Sequence, residues 1–200
     1  MTATPAERAP FPLRLLPWLL TIGGAIGLTA AVVLTVEKIA LLRNPSYIPS
    51  CSLNPVLSCG SVMKTEQASV FGFPNPLLGI AGFAVVTTIG LALLTGARFH
   101  RWFWLGLQAG TTLGVIFVHW LIFQSLYRIG ALCPYCMVVW AVTIPIFYYV
   151  TLHNLHHGHL PAPRGWRPLL TFHTVVLTGW FLAIAIAVLE AFWTYWTTLL

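Results

Sequence analysis

Five stretches of this sequence run for the thickness of a bilayer without a single Asp, Glu, Lys or Arg: residues 15–36, 76–97, 102–127, 131–152 and 168–189. About 20 apolar residues in helical form cross the hydrocarbon core of a membrane. One such run could be the central helix of a soluble domain. Five of them within 200 residues leave almost no chain from which to build one. Composition agrees, with only 7% of residues charged, 58% hydrophobic and a mean hydropathy of +0.84, against about 25% charged in soluble domains. Backbone polar groups in lipid must be bonded internally, so only helices or closed barrels cross it, and these runs lack the period-2 alternation of a barrel strand. The sequence therefore predicts an all-α membrane protein with five transmembrane helices.

The first run is too long for the apolar region of a cleaved signal peptide, and no small-x-small cleavage site follows it. Residues 1–12 read as a short disordered tail. With that tail in the cytoplasm, the inner segments hold Arg8, Arg14, Arg98, Arg101, Arg164 and Arg167, and the outer ones Lys38, Arg43, Lys64 and Arg128. This excess of basic residues inside orients the protein. The net charge of +6 then reflects topology, and no contiguous basic patch points to nucleic acid.

The four cysteines carry the chemistry. Cys51 and Cys59 lie between the first and second runs; Cys133 and Cys136 open the fourth, in "ALCPYCMVVW". Connections one and three fall on the same side of the membrane, so all four share one face, the outer and oxidising one. Cysteines used as small apolar residues would not be sorted in this way. Pro134 suits the first position of a helix, where its missing N–H is not needed. Cys133 then caps the helix and Cys136 lies one turn in, near free N–H groups that favour a thiolate. That places Cys133 toward the water and the loop, and Cys136 toward the membrane interior, where the hydrophobic electron acceptor is a quinone. Two other readings stay open. Four cysteines can bind zinc, although Cys-x7-Cys is looser than a zinc knuckle. Two inert disulfides could staple a scaffold or transporter, although no internal repeat or paired broken helix is visible.

These features resemble the vitamin K epoxide reductase family, in its bacterial disulfide-forming branch. The resemblance rests on Cys51-x7-Cys59 after the first run, on "MKTEQASVFGFPNPLLGI" beyond it, and on Cys133-Pro-Tyr-Cys136 opening the fourth. It covers roughly residues 15–152, with a fifth span added. It implies a four-helix transmembrane catalytic bundle with a peripheral fifth helix: a cytoplasmic tail 1–14, the bundle 15–152 with an outer redox loop 42–75, a cytoplasmic loop 153–167, and the fifth helix with a short outer tail 168–200. It implies that Cys133 and Cys136 reduce a quinone, menaquinone or ubiquinone, without a metal, and that Cys51 and Cys59 relay electrons from a thioredoxin-like periplasmic or extracellular protein. No thioredoxin-like stretch follows the fifth run, so that partner is expected to be separate. Thr65, six residues after the second loop cysteine, Asn75 at the start of the second run and Met63 match quinone-site positions. Trp140 stands four residues after the last cysteine, where some members have a Tyr that bonds a quinone carbonyl. The implied setting is a bacterial cytoplasmic membrane with the active site facing outward. Reduction of a quinone epoxide is the neighbouring enzymatic reading.

Other residues receive plainer readings. Residues 60–70 suit one short amphipathic helix over the membrane surface. His153, His156, His157 and His159 read as a solvated inner loop with no metal-ligand spacing. His119 and Gln124 are intramembrane polar groups expected to bond internally. Glu37 and Lys38 mark the outer end of the first span, and Trp102, Trp104, Trp193 and Trp196 suit interfacial belts.

Overall fold

The structure is a computed structural model that describes residues 11–162 and 164–198. Residues 1–10 of the expected cytoplasmic tail, and the last two of the expected outer tail, lie outside this range. The helices are α1 (Phe11–Arg14), α2 (Leu16–Arg43), α3 (Cys59–Met63), α4 (Pro76–Leu94), α5 (Arg101–Gln124), α6 (Pro134–His156), α7 (Arg167–Thr171), α8 (His173–Ala191) and α9 (Trp193–Thr197). Among the described residues, five of them, α2, α4, α5, α6 and α8, are long and apolar enough to cross a membrane. No β-sheet forms among these residues, only two isolated bridges. The all-α membrane architecture is as expected.

Several boundaries differ from the sequence reading, each for a local reason. Helix α2 runs past residue 36 to Arg43, carrying Glu37 and Lys38 within its last turns. Both find partners in the loop above: Ser50 donates to Glu37 Oε1, and Lys38 Nζ donates to the Met63 carbonyl. The stretch 60–70 is two pieces, α3 and a 3₁₀ turn at Glu66–Ser69. They are separated by Thr65, which is extended (φ −83°, ψ 155°) and donates its hydroxyl back to the Val62 carbonyl. The fifth crossing helix starts at His173, because Phe172 leaves helical geometry and divides α7 from α8.

Helix packing follows from small residues. Membrane helices gain no hydrophobic driving force against one another, so close backbone approach carries their contact. Gly24 of α2 meets Thr87 of α4, where an added Cβ would lie 2.5 Å from the hydroxyl oxygen, and Gly90 of α4 would bring a Cβ to 2.4 Å from the Thr21 backbone nitrogen. Helix α4 thus lies along α2, α2 along α6, and α6 along α5. The half of the bundle away from the cysteines closes around Leu16, Leu20, Phe83, Trp104, Ile146 and Val150. Trp104 was expected at the interface; it is buried there and stacks on His153 at 3.8 Å between ring centroids.

Helix α8 is peripheral: none of its residues is buried. Polar ties hold it and α7 to the bundle. Trp180 donates its indole N–H to His119 Nε2, while His119 Nδ1 meets the Val115 carbonyl at 2.8 Å. A carbonyl can only accept, so Nδ1 donates there, and both ring nitrogens have partners. Tyr149 pairs with His173, and Tyr148 donates to the Leu169 carbonyl. Gln124 departs from the expectation of internal bonding: its Oε1 is buried without a partner among the described residues.

Candidate redox site

The cysteines are brought together by backbone, not by side-chain packing alone. Asn54 Oδ1 accepts from the N–H groups of Val56 and Leu57, and Leu53 N–H donates to the Leu57 carbonyl, so residues 52–58 fold back on themselves. The fold-back sets Cys51 beside Cys59, and the two form a disulfide with Cα atoms 5.5 Å apart. The returning arm then pairs in parallel with the chain ahead of α6: Leu132 N–H donates to the Val56 carbonyl at 2.7 Å and Ser58 N–H to the Leu132 carbonyl at 2.9 Å. Each chain starts a helix on leaving this bridge. Ser58 caps α3 through its hydroxyl on Ser61 N–H, and Cys133 is the cap of α6. Cys59 and Cys133 therefore emerge side by side, with sulfurs 3.1 Å apart. The sulfurs of Cys51, Cys59 and Cys133 all lie within 4.8 Å of one another.

Cys133 and Cys136 are free thiols. Cys133 was expected toward water. It is only 1% exposed, because the pairing at Leu132 draws the loop over it. Cys51, at 6%, is the most exposed of the three clustered residues. Cys133 lies just outside the crossing helix Pro134–His156. The neighbouring Cys136 thiol, and then the N–H groups of Cys136 and Tyr135, favour its thiolate against the effect of burial, holding its pKa below the ordinary thiol value. This is the behaviour expected of a Cys-x-x-Cys at a helix start.

Cys136 is partly exposed, and what it faces is a cavity of about 680 Å³. Helices α4 and α5, which pack along α2 and α6 respectively, face each other across it. Its walls are almost wholly apolar, and small residues open it. A Cβ added at Gly82 of α4, or at Gly106 or Gly110 of α5, would touch nothing within 4 Å. Of the positions singled out from sequence, Met63, Asn75, Trp140, Cys133 and Cys136 line the cavity, and Thr65 does not. The buried Asn75 side chain accepts from Val70 N–H at 3.1 Å and donates to the Gln67 carbonyl at 2.7 Å. One amide N–H remains uncommitted among the described residues. The Trp140 indole N–H is buried and has no partner among them.

Sequence reasoning passed over two features of this cavity. The spacing of Gly106, Gly110 and Gly114 puts all three on one face of α5, a signal that was present but unread. Lys38, taken as a marker of a span end, lines the cavity.

The histidines lie at the other end of the bundle. His157 Nδ1 meets the His153 carbonyl, and His159 Nδ1 meets Asn154 Oδ1. Burial first, then the nearby His157, Arg101 and His100, hold the His159 imidazole below its ordinary value. Among the described residues, the clustered sulfurs are the one group of three potential ligand atoms within 4.8 Å of one another, and two of them are joined in the disulfide. The imidazoles form no such group.

A search of curated proteins finds no match to this chain. A family model for the vitamin K epoxide reductase family matches residues 18–151, a stretch from the first turn of α2 to the last turns of α6 that contains all four cysteines.

Proposed function

Because the chain belongs to the vitamin K epoxide reductase family, a family of membrane oxidoreductases, we propose that it reoxidises a thioredoxin-like protein and passes the two electrons to a membrane quinone. The observation that carries this reading is the position of the thiols. Cys133 stands 3.1 Å from the loop disulfide at Cys59, while Cys136, one turn away, faces an apolar cavity inside the bundle. One sulfur thus meets the relay and the other meets the lipid-soluble acceptor.

The cavity suits a quinone. Its apolar walls match a ring and its substituents, and the unpartnered Trp140 indole N–H is a donor of the kind a carbonyl oxygen needs. The free N–H of Asn75 is a second. A quinone supplies a two-electron, two-proton acceptor.

The chain's own residues perform the rest by thiol–disulfide exchange. A thiolate of the partner attacks Cys51, the more exposed sulfur of the loop pair, and the partner leaves as its disulfide with Cys51 and Cys59 reduced. Cys59 then attacks Cys133 of an oxidised Cys133–Cys136 pair, breaking that bond. Cys51 displaces Cys133 from Cys59, which restores the loop disulfide and leaves Cys133 and Cys136 reduced. That is the arrangement of sulfurs described above. Oxidation of this dithiol to a disulfide delivers two electrons and two protons to the quinone, which departs as quinol. The four cysteines face the outer compartment of a bacterial cytoplasmic membrane in this reading, with the C-terminal end of α6 and the histidines inside.

Purified protein given a reduced thioredoxin-like protein and a soluble quinone analogue should convert one quinone to quinol for each partner disulfide formed. Cys133→Ser and Cys136→Ser should each abolish quinol formation. Absence of quinone consumption by the parent protein would overturn the reading.

A further inference from the structure

We infer that Lys38 is the cation against which the Cys133–Cys136 dithiol is oxidised, a catalytic residue of the quinone cavity beyond the cysteines. The inference rests on the quinone reading above. Among the described residues that line the cavity, Lys38 alone is charged. Its place in α2 explains how it gets there. Leu34, Lys38 and Leu41 recur at the spacing of one helix face, and Leu34 and Leu41 pack in one cluster with Cys51, Cys59, Met63 and Cys133. Lys38 is thus carried on the face of α2 that meets the sulfurs.

Its amine is held by one hydrogen bond and meets no carboxylate among the described residues. One N–H goes to the carbonyl of Met63, the last residue of the helix that Cys59 begins. An ammonium has three donors, so two remain. The adjacent carboxylate, Glu37, is engaged by Ser50 instead, and no ion pair to Lys38 is found among the described residues. Lys38 reaches the Met63 carbonyl in the loop above and at the same time lines the nearly all-apolar cavity, where a charge is costly and points to a functional role.

The reaction gives it a use. As the dithiol becomes a disulfide, negative charge leaves a cysteine sulfur and builds on an oxygen of the acceptor before the two protons that complete the quinol arrive. A fixed positive charge in a water-poor site stabilises that charge without having to reorganise. Trp140 and Asn75 offer neutral donors to the same oxygens; Lys38 offers the full charge.

Three replacements separate charge from support. Lys38→Arg keeps the charge and the donors, Lys38→Gln keeps a donor for the Met63 carbonyl and removes the charge, and Lys38→Met keeps only the stem. Each is reduced in advance with a small dithiol, and quinol formation is followed in a single turnover, apart from the rate of exchange between Cys59 and Cys133. Lys38→Gln and Lys38→Met should both slow quinol formation by about a hundredfold, the order seen when one preorganised donor is removed. Lys38→Arg should stay within about tenfold of the parent on the same scale, and Cys59–Cys133 exchange should be unchanged in Lys38→Gln. Parent-like quinol formation in Lys38→Gln, with the parent itself active, would overturn the inference alone. So would equal slowing of exchange and of quinol formation in Lys38→Gln, because Lys38 would then only hold the loop. A parent protein that forms no quinol would remove the functional reading and this inference with it.

Discussion

Replacing Cys51 and Cys136 together by serine leaves Cys59 and Cys133 as the only cysteines of the four in the chain. Their sulfurs stand 3.1 Å apart, and a disulfide requires about 2.05 Å. An approach of about 1 Å therefore closes the bond, and the backbone on both sides is already paired through Leu132. Well-oriented intramolecular reactions reach effective molarities on the order of 10⁵–10⁸ M. Even a thousandfold shortfall from the lower figure leaves on the order of 10² M. Glutathione disulfide at about 10 mM is the oxidant: one cysteine takes glutathione into a mixed disulfide, and the other then displaces it as the glutathione thiol, faster than it attacks a second glutathione disulfide by a factor on the order of 10⁴. Mild oxidation followed by peptide mass spectrometry should find the Cys59–Cys133 cross-link and almost no glutathione adduct. The companion variant Cys59→Ser/Cys136→Ser keeps Cys51, which has no backbone pairing to Leu132, and it should form its cross-link more slowly and with visible adduct. If glutathione accumulates on Cys59 or Cys133 in the first variant, the two sulfurs are not neighbours in the membrane and Cys59 is not the relay to Cys133.

Trp140→Phe removes a donor that has no partner among the described residues; one hydrogen bond contributes about 0.5–1.5 kcal/mol, so the quinone KM should rise about two- to tenfold, and an unchanged KM would place the acceptor elsewhere. At Gly110 an added side chain meets open space, so Gly110→Leu should not lower thermal stability, whereas overfilling the site at about 1–3 kcal/mol should raise the quinone KM about five- to hundredfold; normal quinone kinetics in a stable variant would refute the assignment of the cavity. Iodoacetamide should alkylate Cys133 with a pH midpoint below the ordinary thiol value of about 8.5, moving up in Cys136→Ala, which removes the first of the groups that favour the thiolate. Since the folded-state value is the lower one, the thiolate's contribution is complete above the ordinary value and is lost as pH falls through the folded one, so a midpoint at or above about 8.5 would contradict the geometry at the start of α6.

The five crossing helices were legible because charge is so costly in lipid that a run of about 20 residues without it marks a crossing. Their packing was not. In a soluble helix the apolar stripe marks the core face, but here lipid and core are equally apolar, so nothing in the periodicity of α4 or α5 announced that they face each other across a cavity. The glycines of α5 were the readable trace of it. The pairing of the two cysteine segments was hidden for another reason. It rests on the backbone groups of Val56, Ser58 and Leu132, and a two-residue bridge has no side-chain signature. That is why the sequence placed all four cysteines on one face but left open which loop cysteine meets Cys133, and why it set Cys133 toward water. Asn75 shows the same limit: its position beside the cavity was anticipated, whereas its bonds to Val70 and Gln67 tie it equally to the loop.

The proposed relay through a buried disulfide would raise a mechanical demand, since a partner would have to reach Cys51 while Cys59 stays against Cys133. The two arms of the loop are held by different bonds. Ser50, the neighbour of Cys51, is tied to Glu37, and Ser52 on its other side accepts from Gly60 N–H. The Cys59 arm is tied by Leu132 through the backbone and by Lys38 at the far end of α3. In the proposed relay, releasing the side-chain bonds of Ser50 and Ser52 would loosen the Cys51 arm, which stays tied to the returning arm by Leu53 N–H on the Leu57 carbonyl and by the disulfide, without breaking the pairing of Val56 and Ser58 with Leu132. The neutral bond from Gly60 to Ser52 contributes about 0.5–1.5 kcal/mol and the bond from Ser50 to the Glu37 carboxylate about 1.5–3 kcal/mol, so these two ties can open one at a time while the backbone pairing at Leu132 stays in place. The sulfur that must not move is held by paired backbone, beneath a loop that keeps it from water.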